Sequence, residues 1–235
     1  MYSQKFSERS PLRVLEKSIH GGLGSGNVGV VVSRAGIGKT ACLVQIGIDS
    51  LIRDRNVLHV SLHDSVIHVR TWYDELLQEF ARAIGEVEFP KTHRSDIERS
   101  RHIHTYRDHS FSVEKLREGV RFLEAHAHFT PDTIILDGFD FASATAEQIE
   151  TLGAVAKESN AELWASALSH RHQPVDHPRG IPLPVSTFES QISVVMFLEP
   201  SNGSVQVRIL KDHDNPDVSG LHLLLDKRSF LIQQA

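Results

Sequence analysis

The chain predicts an α/β fold: a mainly parallel central sheet flanked by helices, with antiparallel hairpins at its C-terminal end. Short Val- and Ile-rich runs alternate with segments whose apolar residues recur at helical spacing, and beyond about residue 190 strand follows strand with only turn residues between. Alternating βα units need right-handed crossovers, which pair their strands in parallel, while hairpins add antiparallel strands at the edge. With 235 residues, 40% hydrophobic and 23% charged, the chain can build a sizeable core. It shows no internal repeat and no second core. One domain over 1–235 is expected, with residues 1–11 as an N-terminal tail.

Asn27 to Ser33 reads as a short buried strand. Lys39 to about Arg53 then places Ala41, Val44, Ile48 and Leu51 on one helical face. Val57 to Leu62 is a second strand, and Val69, Tyr73, Leu76, Leu77, Phe80 and Ile84 mark the clearest amphipathic helix. Residues 85–110 have little periodicity and mix Lys91, Arg94, Arg99, Arg101 and Arg107 with Asp96, Glu98 and Asp108, which predicts an exposed insertion. Ser112 is placed to cap a helix carrying Leu116, Val120, Leu123 and Ala127. Thr133 to Leu136 is a strand ending in Asp137, Thr145 and Gln148 have capping-box spacing ahead of Ile149, Leu152 and Ala156, and Glu162 to Leu168 is a fourth strand. After a proline-rich loop, Ile192–Leu198 and Val205–Lys211 flank Ser201-Asn202-Gly203 as a hairpin, and Leu221–Leu225 is placed to pair with Ser229–Ile232.

Composition narrows the classes of function. No apolar run approaches the roughly 18 residues that span a membrane, and residues 1–10 contain no apolar segment of a secretory leader. The single cysteine, Cys42, cannot form an internal disulfide, so a reducing compartment, the cytoplasm, is expected. A net charge of -5 argues against binding nucleic acid through bulk charge.

The segment richest in chemistry lies between the first strand and the first helix: Ser33-Arg34-Ala35-Gly36-Ile37-Gly38-Lys39-Thr40. A phosphate-binding loop needs a glycine-rich turn whose N–H groups converge on phosphate oxygens, a Lys for the β and γ phosphates, and a Ser or Thr hydroxyl for Mg2+, all at a helix N-terminus. Gly36, Gly38, Lys39 and Thr40 supply these parts; Ser33 stands where the pattern asks for glycine. Asp137, ending a strand downstream, is the expected carboxylate that holds Mg2+ through water across the sheet from Thr40.

With these residues placed, the chain resembles the RecA-like P-loop ATPases, in particular the KaiC, RadA/Sms and DnaB branches. Gly21-Gly22-Leu23-Gly24-Ser25-Gly26 is similar to the GG-L-x-x-G lead-in of KaiC and RadA, and Ser33-Arg34-Ala35-Gly36 is similar to the opening of the loop in DnaB helicases. The resemblance covers about Leu12 to Gly220 as an order of motifs. It implies a RecA-like fold, ATP and Mg2+ as ligands, and a homo-oligomer. In those families the second strand ends in glutamates that polarise the attacking water; here the place reads His63-Asp64. Asp64 is one methylene shorter, so its carboxylate falls short by about 1.5 Å unless the backbone compensates, and hydrolysis is expected to be weak. By the same resemblance His170 stands where relatives sense the γ phosphate. Lys211 and His213 stand where relatives carry Lys-x-Arg reaching the neighbouring subunit's nucleotide, with His213 losing the arginine's permanent charge and fork.

The expected function is a nucleotide-dependent switch acting on a protein partner. Two alternatives stay open: a nucleic-acid-stimulated motor with the basic stretch Arg94, Arg99, Arg101 and Arg107 lining a channel, and a P-loop phosphotransferase. Against the motor, acidic residues are interspersed there and only Tyr106 and Phe111 could stack on bases. Of the 15 histidines, the pairs His102/His104, His126/His128 and His170/His172 lack cysteine companions and i, i+4 spacing, which argues against structural zinc.

Overall fold

Strand β1 (Val28–Ser33) is buried along its whole length, flanked in parallel by β5 (Glu162–Leu168) on one side and β6 (Val194–Ser201) on the other. Its alternating side chains divide the molecule. Val28, Val30 and Val32 face one apolar layer and Val31 the other. The computed structural model describes residues 10, 12, 13, 16, 19, 21–107, 110–169, 177–201, 204–215, 218 and 223–234.

From β1 the chain runs through α1 (Lys39–Leu51), β2 (Val57–Ser61), α2 (Val66–Ile84), the short helices α3 (Phe89–Thr92) and α4 (Arg94–Arg99), and β3 (Arg101–Thr105). It continues through α5 (Val113–Ala127), β4 (Thr133–Asp137), α6 (Ala146–Glu158) and β5, then a 3-10 helix (Val185–Gln191) and β6. Strands β7 (Ser204–Asp212), β8 (Leu223–Leu225) and β9 (Ile232–Gln234) follow. The strand order is β3-β2-β4-β5-β1-β6-β7-β8-β9, parallel from β3 to β6 and antiparallel from β6 to β9. The α/β architecture is therefore the one expected, with one refinement: the first strand of the C-terminal hairpin, β6, joins the parallel part.

Helices α1 and α2, with α3 and α4, cover one face, where the β8–β9 strands also turn Leu223, Leu225 and Ile232; α5, α6 and the 3-10 helix cover the other. Local signals set the ends of the helices. Ser65 accepts a hydrogen bond from His68 N–H at the start of α2, Ser112 from Lys115 N–H at the start of α5, and Thr145 and Gln148 close a capping box on α6. Gly85 ends α2 in the left-handed conformation, φ 79°.

The exposed insertion expected over 85–110 is corrected. Phe89 and Ile97 are buried against the α1–α2 layer, and 101–105 form the edge strand β3, in register with β2 from Val57↔Arg101 to Ser61↔Thr105. Edge position explains the weak signal: β3 gains its place from backbone pairing and half-buried side chains, so Arg-His-Ile-His-Thr shows no apolar alternation. Among the described residues no helix is long and apolar enough to cross a membrane.

Candidate functional site

The parallel strands end along one edge of the sheet, where α/β proteins place their ligands. The loop 33–40 leaves β1 at this edge. Ser33 is still in the sheet, paired with Leu168, and its carbonyl accepts Ser169 N–H at 3.0 Å. Its backbone is not left-handed, so glycine is not needed there, and the buried hydroxyl donates to Arg34 O at 2.9 Å. The turn itself falls on Gly36 and Gly38, φ 74° and 114°. At Gly36 a Cβ would meet nothing within 4 Å, so the crest of the loop is open. Arg34 and Ala35 are exposed there, while Ile37 packs back against the α1 layer.

Gly38 is the N-cap of α1 and supplies no side-chain hydrogen bond. The first N–H groups of the helix thus open on the loop without a side-chain cap, the arrangement that attracts an anion. Lys39 Nζ donates to Arg34 O at 3.1 Å and Ser33 O at 3.4 Å. Burial pushes its pKa down, with the Asp137 carboxylate acting in the opposite sense. Thr40 Oγ1 donates to Asp137 Oδ2 at 2.7 Å across 97 residues of sequence. Mg2+ usually takes one or two protein oxygens and keeps several waters, so a hydroxyl and a carboxylate this close suit it.

No family model matches this chain, and no curated protein does.

Asp137 is 8% exposed, and its second oxygen is also occupied: Ser166 Oγ on β5 lies 2.6 Å from Oδ1 and accepts Gly138 N–H at 2.8 Å. Ser166 carries no motif. Its only signal in the sequence is a hydroxyl inside the apolar run Leu163-Trp164-Ala165-Ser166-Ala167.

His63 and Asp64 do reach this edge. Ser61 is the Cα partner of Asp137, and Leu62 N–H donates to Asp137 O at 2.9 Å. The exposed His63 ring lies against Gly138, where a Cβ would come 2.4 Å from His63 Cδ2. Asp64 N–H donates to Ser61 Oγ at 3.0 Å, and its Oδ1 sits 2.7 Å from His68 Nδ1 one helical turn on. The Asp64 carboxylate is thus engaged by His68, a partner that spacing along the chain did not single out.

Lys211 and His213 lie elsewhere. Because β7 runs antiparallel to β6, Lys211 is opposite Val195 and Asp212 opposite Val194, near the start of β1 rather than its end. Lys211 Nζ donates to Glu189 O at 2.5 Å, and burial pushes its pKa down. His213 Nδ1 is 2.8 Å from Asp212 Oδ1, and Nε2 is 3.0 Å from Leu23 O. Both are tied into their own chain, and through Leu23 O His213 braces the Gly21–Gly26 lead-in. His170 lies outside the described residues.

Two small cavities, about 20 Å3 beside Gln45 and Leu231 and about 10 Å3 beside Tyr73 and Arg101, lie beneath α1 and touch neither the loop nor Asp137. Each is the size of a water or two. A larger ligand would sit on the open sheet edge.

Proposed function

We propose that this chain binds ATP and Mg2+ on the loop 33–40, as the RecA-like P-loop ATPases it resembles do, and hydrolyses the nucleotide weakly, so that nucleotide state controls contact with a protein partner. The observation that carries the reading is the 2.7 Å contact of Thr40 with Asp137, beside an uncapped helix N-terminus and a glycine turn. In it, the α1 N–H groups and the Lys39 ammonium hold the phosphates, and Thr40 and Asp137 hold the metal. Bound Mg2+ supplies the positive charge that offsets the β and γ phosphates. Weak hydrolysis follows from the edge of β2, where no glutamate is present and Asp64 is held by His68 and Ser61.

The switch is preferred to the motor reading. Two of the four arginines of the basic stretch are paired with acids beside them, Arg99 with Asp96 and Arg101 with Glu98, which lowers the positive charge a channel would need. No observation favours a phosphotransferase.

Calorimetric titration of ATP with Mg2+ tests the proposal. Lys39→Ala should weaken binding roughly 100-fold or more, the worth of a charge-assisted hydrogen bond of about 3 kcal/mol. Unchanged affinity in that variant would overturn the role of the loop. Turnover should be slow and indifferent to single-stranded DNA; robust turnover lost in Asp64→Ala, or stimulation by DNA, would replace the switch with an active motor. Sizing with and without ATP tests assembly into an oligomer.

A further inference from the structure

We propose that Ser166 is a positioning residue for the metal carboxylate, and that divalent-ion affinity, rather than nucleotide affinity as such, depends on its hydroxyl. The inference rests on the reading of loop 33–40 and Asp137 as a nucleotide–Mg2+ site.

The Ser166 side chain is 2% exposed and has two partners. Gly138 N–H can only donate, so Ser166 Oγ accepts from it at 2.8 Å. The single hydroxyl proton then points at Asp137 Oδ1, 2.6 Å away. Thr40 Oγ1 donates to the other oxygen at 2.7 Å. Each carboxylate oxygen is held by one hydroxyl, from β5 on one side and α1 on the other, which fixes the rotation of the carboxylate plane.

The second bond fixes the far end of the bridge. Gly138 has φ +94°, and the His63 ring fills the space a side chain would need. Its N–H is therefore aimed by the turn, and Ser166 transmits that aim to the carboxylate. A magnesium site that takes few protein oxygens is sensitive to such aim, and partners that orient metal ligands typically change metal affinity 10–100-fold when removed.

The experiment is ATP titration of the full chain at a series of Mg2+ concentrations and again in EDTA. Ser166→Ala should raise the Mg2+ concentration for half-maximal enhancement about tenfold or more. ATP affinity in EDTA should stay within about twofold, because Lys39 and the loop are untouched. Ser166→Thr, which keeps a hydroxyl, should restore the wild-type Mg2+ dependence, and in an Asp137→Asn background Ser166→Ala should add little. Circular dichroism of each variant reports on folding. An unchanged Mg2+ dependence in Ser166→Ala, or an equal loss with Mg2+ and in EDTA, would overturn the positioning role while leaving the nucleotide site standing. A wild-type chain that binds no ATP under either condition would overturn both.

Discussion

His59 is fully buried on β2, with Nδ1 3.2 Å from the Tyr73 hydroxyl and no partner at Nε2 among the described residues. Burial pulls its pKa down to about 4; the Asp137 charge opposes this and Arg101, whose guanidinium lies 4.6 Å over the Tyr73 ring, reinforces it. In the unfolded chain the ring titrates near its ordinary 6.5. Between these values the unfolded chain binds the proton and the folded chain does not. The stability this group contributes is present above about pH 6.5 and is lost as the pH falls toward about 4, a loss on the order of 2 kcal/mol by pH 5. The difference between urea midpoints at pH 7.5 and pH 5 should shrink in His59→Gln; equal differences in variant and wild type would refute the assignment. The same residue explains part of the histidine excess. His59 packs on Tyr73, His177 pairs with Glu189 at 2.9 Å, His128 ends α5 with φ 50°, and His213 braces a loop. These roles are set by neighbours distant in sequence, so they leave no pattern. The meeting of Thr40 with Asp137 was legible because the proposed phosphate and Mg2+ site would demand those residue types beside a glycine turn and a strand end. Ser166 was not, because its meaning lies 29 residues away.

Elements were legible where their own residues carry the signal. Ser112 and the Thr145–Gln148 box mark helix starts through side-chain bonds to the backbone, and these need no tertiary context. Strand β3 has no such signal, since pairing with β2 defines it. Helix α1 holds a case in which context reverses propensity. Gly47 lies mid-helix, where alanine ordinarily gains up to about 1 kcal/mol. Here a Cβ would meet the Tyr73 hydroxyl oxygen at 2.3 Å and Ile135 Cδ1 at 2.9 Å. Gly47→Ala should therefore destabilise by about 1–3 kcal/mol in urea unfolding. Adding Tyr73→Phe, which removes the obstructing oxygen, should recover part of the loss; strict additivity of the two changes would argue against the clash.

The whole molecule is held together at its C-terminal side by long-range contacts. Gln45 on α1 donates to Phe230 O at 2.8 Å and accepts Ile232 N–H at 2.7 Å, so one side chain clamps the entry of β9 to the first helix. Trp72 on α2 meets Phe230 edge-on, ring centroids 5.6 Å apart. Gln45→Ala removes both bonds without touching β1, β4 or β5. Amide exchange at Ile232 should accelerate while Val30 and Val31 keep their protection; uniform acceleration across the sheet would mean the hairpin is not a separately opening unit.

The packing of Leu225 on Gly38, where a Cβ would come within 2.5 Å of Leu225 Cδ2, has a consequence for biosynthesis. A ribosome delivers residues 33–40 well before residue 225, so until then the nascent chain carries the glycine turn without the leucine that seats it. Such a contact closes only after the intervening strands have been made. If loop 33–40 holds nucleotide as proposed, chains stalled before β8 would hold it more loosely than chains in which the β8–β9 hairpin has formed.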